Sequence, residues 1–150
     1  MEKNYGHKPV LLPECLEALA IRPAGLYVDG TLGRAGHSLE ILRRLTTGRL
    51  IGIDRDQTSI AAAQERLSDY KDQVTLVHGN FSVLGDILQD LGVDGADGML
   101  FDLGVSSPQL DEPQRGFSYM HDAPLDMRMD KSAALSAREV INTWSYEALR

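Results

Sequence analysis

Leu26-Tyr27-Val28-Asp29-Gly30-Thr31-Leu32-Gly33-Arg34-Ala35-Gly36-His37-Ser38 decides the fold. An apolar run, Leu26-Tyr27-Val28, feeds the carboxylate of Asp29, and Gly30, Gly33 and Gly36 follow at a spacing of three. From Ser38 to Leu45 the apolar residues fall at Leu39, Ile41, Leu42 and Leu45, a helical stripe. The stretch reads as strand, glycine-rich turn, helix. Glycines there let the backbone turn tightly and pass close to a ligand. A nucleotide-like cofactor suits such a corner. The motif alone also fits mere tight packing, so its context decides.

Working outward, the same strand-then-helix unit recurs. Arg49 to Asp54 is apolar without alternation, as expected of a strand covered on both faces. Asp56 to Ser59 offers helix-capping residues, and a helix runs on through Ile60, Ala61, Ala62, Ala63 and Leu67. Val74 to His78 is a third strand, Gly79-Asn80-Phe81-Ser82 a loop with Ser82 as cap, and 83–91 a third long helix. Gly98 to Leu103 is a fourth strand. The helix after the glycine turn is expected over 36–46, ended by Thr47-Gly48. Four strands alternating with helices predict a parallel sheet with helices on its faces. Ligands bind such sheets beyond the carboxyl ends of the strands, where strand order reverses. Those ends carry Asp29, Asp54, His78 to Phe81, and Asp102.

Before the first strand, residues 1–12 read as extended, and a short helix runs from Pro13 to about Ala20, with Leu16, Leu19 and Ala20 as its apolar stripe. From 104 to 130 periodicity is lost, as in a long functional loop. Ser136 to Arg150 reads as a helix pair or one broken helix, and the chain then stops without a capping glycine or tail, which suggests a piece of a longer protein.

Composition narrows the classes. One hundred and fifty residues, 43% apolar and 25% charged, suit one globular domain. No apolar run approaches a membrane span, and Met1 to Lys8 lacks the apolar core of a secretory signal. A single cysteine, Cys15, cannot make an internal disulfide, which fits a reducing cytoplasm. It reads as a small core residue. Net charge is −7, which argues against a large phosphate-binding surface but not a local one. His7, His37, His78 and His121 lie on four separate elements without ligand spacing, so no metal is assigned.

Three anchors carry the chemistry. Gly33 to Ser38 is the first. Asp54 is the second: it ends a strand 21 residues after Gly33 (54 minus 33), where an acidic residue accepts hydrogen bonds from ribose hydroxyls. Its competing role is to cap the next helix, for which Asp56, Thr58 and Ser59 are better placed. The third is Asp102-Leu103-Gly104-Val105-Ser106-Ser107-Pro108-Gln109. A carboxylate followed by a tight, proline-containing loop suits chemistry on an exocyclic amine. Such an amine is a poor nucleophile because its lone pair is shared with the ring. Acceptors on its N–H groups and placement in line with an electrophilic methyl make it react. Asp102 is the candidate acceptor, favoured over the competing role of satisfying turn donors. Asn80 and Phe81 could grip an adenine edge and face, or Phe81 could be core. His37 reads as a cofactor contact rather than a base. Arg115 to Tyr119 and Pro124 to Asp130 place arginine and aromatic planes where bases could stack, or form a loop held by ion pairs.

Taken together, these pieces resemble one family: the bacterial S-adenosylmethionine-dependent methyltransferases that modify a cytidine of small-subunit (16S) ribosomal RNA on its exocyclic N4, the MraW/RsmH type. The resemblance rests on His7-Lys8-Pro9-Val10-Leu11-Leu12, Asp29 through Gly33 and on to His37-Ser38, Ile53-Asp54-Arg55-Asp56, Asp102 through Gln109, Arg115-Gly116-Phe117-Ser118, and Pro124 through Asp130, in the family's order and over nearly the whole chain. It implies an α/β fold of the Rossmann-like class I methyltransferase kind, a parallel sheet with helices on both faces, truncated after the fourth strand. It implies S-adenosyl-L-methionine contacts by Gly33, Ala35, Gly36, His37, Asp54, Phe81, Asp102 and Gln109. Asp102, Ser106, Ser107 and Pro108 would form the catalytic pocket. Members usually have glycine where this chain has Ala35, whose methyl would crowd the methionine end of the cofactor. Members also run to roughly twice this length. On that view residues 1–131 are the first half of the methyltransferase domain and 132–150 begin a helical insertion, leaving the fourth strand at a sheet edge. The partner implied is 16S ribosomal RNA or the small subunit, with no membrane and no DNA, in the cytoplasm; a homodimer stays open. Two other readings also stay open, a non-catalytic cofactor-binding paralogue and a nicotinamide-dependent Rossmann enzyme.

Overall fold

The computed structural model describes residues 9–150. The expectations for residues 1–8, including the His7-Lys8 part of the motif, lie outside the described residues. The chain divides into two compact units, one reaching through Leu103 and one from Gly104 to Arg150.

Four parallel strands build the first unit: β1 (Leu26–Asp29), β2 (Arg49–Asp54), β3 (Val74–His78) and β4 (Gly98–Leu100), in the order β3-β2-β1-β4. Strand order reverses between β1 and β4, since β1 pairs with both β2 and β4. That places the expected ligand end at the carboxyl termini of these two strands. The unbroken apolarity of β2 has a direct cause. Leu50 packs with Tyr27, Leu32, Ile41 and Leu42 on one face, whereas Ile51 and Ile53 pack with Val28 and Leu88 on the other. Gly52 lies between them because the turn after β1 fills its space: a Cβ there would stand 2.7 Å from Leu32 Cδ1.

Helix α1 (Leu12–Leu19) precedes β1, and α2 (Gly36–Leu42), α3 (Gln57–Arg66) and α4 (Leu84–Asp90) join the four strands in turn. Residues 9–12 are not extended. Leu11 turns at φ 49° and α1 starts at Leu12, one residue before the proline that suits its first turn. Helix α2 ends at Leu42, short of the expected 46, because the carbonyl of Pro23 accepts the N–H groups of Thr46, Thr47 and Gly48 and draws the chain out of the helix. Asp56 caps α3 by accepting from Thr58 N at 3.0 Å. Asn80, not Ser82, caps the turn before α4, accepting from Ser82 N. Cys15 is half-buried at the surface of α1 rather than in the core.

β4 is three residues long, not six. Past Leu100 its outer side has no strand neighbour among the described residues, and Met99 and Phe101 are 42% and 40% exposed. The edge position expected of the fourth strand is what the sheet shows.

The second unit holds a short α5 (Ser107–Asp111) that the sequence reading did not anticipate, then α6 (Ala137–Thr143) and α7 (Tyr146–Leu149), the expected helix pair. Between them the loop is tied to itself. Buried Arg115 donates to the carbonyls of Arg128 and Met129, and its own carbonyl accepts from Met127 N. Gly116 turns at φ 72° against Pro124 and Asp126.

Candidate functional site

At the end of β1, Asp29 is buried, and each of its carboxylate oxygens has a partner. Ser38 Oγ donates to Oδ2 at 2.7 Å, and Thr31 N donates to Oδ1 at 3.1 Å. Burial pushes its carboxyl above the usual range, with the Ser38 and Thr31 bonds pulling back. This carboxylate therefore shapes the glycine turn from within, linking it to α2.

One strand over, Asp54 is half-exposed at the end of β2. Gly33 N donates to its Oδ2 at 2.7 Å and Asp56 N to its Oδ1 at 2.8 Å. The first bond closes the glycine turn onto the neighbouring strand, helped by Leu32 N donating to the Ile53 carbonyl at 3.0 Å. Gly33 sits at φ 50°, a conformation that favours glycine. Burial raises the Asp54 carboxyl, and the bonds from Asp56 and Gly33 lower it again. The carboxylate keeps acceptor capacity beyond these bonds, and the helix-capping role has gone to Asp56. Asp54 is thus fixed in place and still able to accept from a diol.

Thr31 and Ser38 were in the quoted stretch without an assigned role. Thr31 links the turn to β4, because its Oγ1 accepts from Asp102 N at 2.7 Å. The signal was a hydroxyl set among glycines beside a carboxylate. Asp102 itself is exposed.

The α2 entrance differs from a simple ligand cradle. Gly36 is packed under Pro9: a Cβ there would stand 2.6 Å from Pro9 Cγ. The His37 side chain is buried, and its Nε2 donates to the Val10 carbonyl at 3.0 Å, which fixes that tautomer. Both residues therefore anchor the segment ahead of α1. Ala35 turns at φ 58° and is buried within the apolar cluster of Leu32, Ile41 and Leu42, so its methyl belongs to the core.

Phe81, after β3, meets Phe101, after β4, edge to face, with ring centroids 5.4 Å apart and planes at 67°. Asn80 spends its carbonyl on the Ser82 cap.

The second unit carries the remaining candidates. Gln109 is buried, and its Oε1 accepts from Ser106 N at 2.9 Å, so Ser106 and Gln109 close the start of α5 on each other. Ser107 and Pro108 form its first turn, both half-buried. In the Pro124–Asp130 loop, the Asp126 carboxylate grips Arg128 through Nε at 2.9 Å and Nη2 at 2.7 Å. That hydrogen-bonded guanidinium holds the Asp126 carboxyl down to about 2. The loop is held by this ion pair, as one of the two readings of the sequence expected. Among the described residues no group of three or more His, Cys, Asp or Glu side chains is arranged to hold a metal ion. No helix among them is long and apolar enough to cross a membrane.

Comparison with known proteins gives the geometry its context. The chain is 57% identical over 147 residues to a protein of Brevibacillus brevis named ribosomal RNA small subunit methyltransferase H; the match covers 97% of this chain and 47% of that protein. The chain thus spans about half the length of the curated relative it matches. Among solved structures, the C-terminal domain of precorrin-6Y C5,15-methyltransferase from Rhodobacter capsulatus superposes with a TM-score of 0.54 at 22% identity, covering 71% of this chain and 58% of that one. A SAM-dependent O-methyltransferase from Thermotoga maritima superposes with a TM-score of 0.53 at 14% identity, covering 67% and 38%. These two likenesses speak for the Rossmann-like methyltransferase fold alone. Residues 4–150 match the MraW methylase family, over nearly the whole chain and across both compact units, and the chain belongs to that family.

Proposed function

We propose that the protein transfers a methyl group from S-adenosyl-L-methionine to the exocyclic N4 of a cytidine in small-subunit ribosomal RNA, in the cytoplasm. The observation that carries this reading is Asp54: a carboxylate locked at the end of β2 by two backbone N–H groups, with lone pairs left for a ribose diol. Family membership and the name of the Brevibacillus brevis relative support the substrate class.

The residues present fit the group. Carboxylates end three adjacent strands, with Asp54 at β2, Asp29 at β1 and Asp102 just past β4. Asp29 is buried in the turn, whereas Asp54 and Asp102 keep accessible carboxylates that would complement the hydroxyls and positive charge of the cofactor and the N–H groups of the substrate amine. The aromatic face of Phe81 offers a surface for a base. When bound, the cofactor supplies an electrophilic methyl on a positively charged sulfur. Asp54 would hold the ribose, and the backbone of Gly33, Ala35, Gly36 and His37 would line the methionine end. Asp102 would accept hydrogen bonds from the cytosine amine, shifting its nitrogen towards a tetrahedral, donating form. Its backbone is held for that task by Thr31 Oγ1. Within the second unit Gln109 fixes the turn that carries Ser106, Ser107 and Pro108, the residues that the family resemblance assigns to the substrate base. The proton that the amine gives up on accepting the methyl would leave past Asp102, which is exposed, to solvent.

The test is mass spectrometry of ribosomal nucleosides from cells lacking the gene. Methylation of one cytidine in small-subunit RNA should disappear. Wild-type protein should restore it and Asp102→Ala should not. An unchanged nucleoside profile would remove this reading.

A further inference from the structure

We propose that Phe101 is a positioning residue for the cofactor's base, acting through Phe81. The inference rests on the reading above, in which Phe81 flanks that base. Phe81 leaves β3 and Phe101 leaves β4, the two outer strands of the sheet. Three strand spacings put those backbones about 14 Å apart. The rings nevertheless touch, so the pair bridges the carboxyl ends of β1 and β2.

Phe101 can reach across because of the residue beneath it. A Cβ at Gly30 would stand 2.6 Å from Phe101 Cδ1 and closer still to Cε1, and its three nearest atoms would all belong to that ring. Gly30 does not lie at positive φ, so its backbone needs no glycine. The ring needs it. The first glycine of the turn is therefore the seat of Phe101. An edge-to-face pair has a preferred tilt, so the seated ring sets the attitude of Phe81. Both rings stay more than one-third exposed, leaving aromatic surface on which a base can lie. The next residue is Asp102, pinned through its N–H to Thr31. One short segment thus aligns the base of the cofactor and the carboxylate meant for the substrate amine.

The test uses the full-length protein and S-adenosylhomocysteine, titrated by calorimetry. Phe101→Leu should weaken binding about tenfold while the thermal midpoint stays within a few degrees, and Phe101→Tyr should restore it. At saturating cofactor the methyl-transfer rate should hold while KM for the cofactor rises. Phe81→Leu combined with Phe101→Leu should bind no worse than the weaker single variant. Gly30→Ala, which unseats the ring, should lose affinity in the wild-type background and lose nothing further in Phe101→Ala. If Phe101→Leu does not fold, the Gly30→Ala comparison decides alone. Wild-type affinity in Phe101→Leu, additive losses in the double variant, or an equal Gly30→Ala loss in both backgrounds would overturn the proposal. Wild-type protein that fails to bind S-adenosylhomocysteine would instead overturn the cofactor reading itself.

Discussion

Ala35 holds a left-handed backbone at φ 58° and ψ 36°, which costs an L-residue about 1–2 kcal/mol. Its buried methyl returns about 0.8 kcal/mol. Glycine would escape the strain but add freedom to the unfolded chain, at about 0.4–1 kcal/mol. The terms nearly cancel. Ala35→Gly should therefore leave unfolding free energy within about 1 kcal/mol of wild type in urea titration. The methyl packs in the core with Leu32 and Ile41, so affinity for S-adenosylhomocysteine should stay within about twofold. A large gain in affinity would show that the methyl crowds the cofactor after all. Asp54 is the opposite case. An asparagine there can accept from only one of the Gly33 and Asp56 N–H groups, and its own amide would face the other. Removing a desolvated charge is favourable, but a buried donor without a partner costs about 1–3 kcal/mol. We expect Asp54→Asn to lose about that much stability and at least tenfold in cofactor affinity. Asp56→Ala, which removes the α3 cap, should cost about 1 kcal/mol and spare the affinity. Calorimetry beside urea titration separates the two outcomes.

At the scale of elements, the Gly104–Arg150 unit makes the sharpest predictions, and Trp144, the one tryptophan of the chain, lies within it and reports on it. Gly116 sits at φ 72° with Asp126 N 2.7 Å from where a Cβ would be, and the Pro124 carbonyl nearer still. Both obstacles are backbone and cannot swing aside. Gly116→Ala should cost more than the roughly 1–2 kcal/mol of left-handed strain alone, seen as a fall in the midpoint of the Trp144 fluorescence transition. The Asp126–Arg128 pair gives a pH dependence. The native carboxyl is held at about 2, below its unfolded value. Its contribution is complete above the unfolded value and is lost as pH falls through the native one. Trp144 fluorescence should show the unit weakening between about pH 4 and 2, and Asp126→Asn should remove that part of the profile. Much of this element pattern was legible. The strands of the first unit stood out because a sheet covered on both faces makes continuous apolar runs, as in Leu50-Ile51-Gly52-Ile53. Helix ends did not, because tertiary partners set them: the Pro23 carbonyl stops α2, a contact some twenty residues away in sequence that no local pattern encodes. The positions of Asp29, Asp54 and Asp102, at or just past strand ends, were legible from their place after apolar runs. The seat of Phe101 on Gly30 was not, since a glycine in a glycine-rich turn looks conformational until the ring above it is seen.

The molecule as a whole presents an imbalance that composition alone does not reveal. β2 and β1 are flanked by strands on both sides, whereas β4, which follows the site, pairs with β1 alone among the described residues. Met99 on the strand and Leu103 just past it leave apolar surface there, Leu103 at 71% exposure. A bare apolar edge pairs with other chains unless something opposes it. The net charge of −7 is such an opponent. It acts over a Debye length, about 10 Å at moderate salt and shorter as salt rises. The short-ranged attraction of the edge does not weaken in the same way. The balance should therefore tip with ionic strength. The 150-residue chain is expected to be mostly monomeric at low salt and to associate, reversibly and with concentration, as salt is raised. Met99→Lys should hold it monomeric by placing a charge on the exposed strand. That residue lies in register with Val28, and its exposure means little core packing is lost. Sedimentation equilibrium across a salt series reads both effects. A chain that stays monomeric at every salt concentration, or a Met99→Lys variant that associates as readily as wild type, would show that the exposed edge is protected by something other than charge.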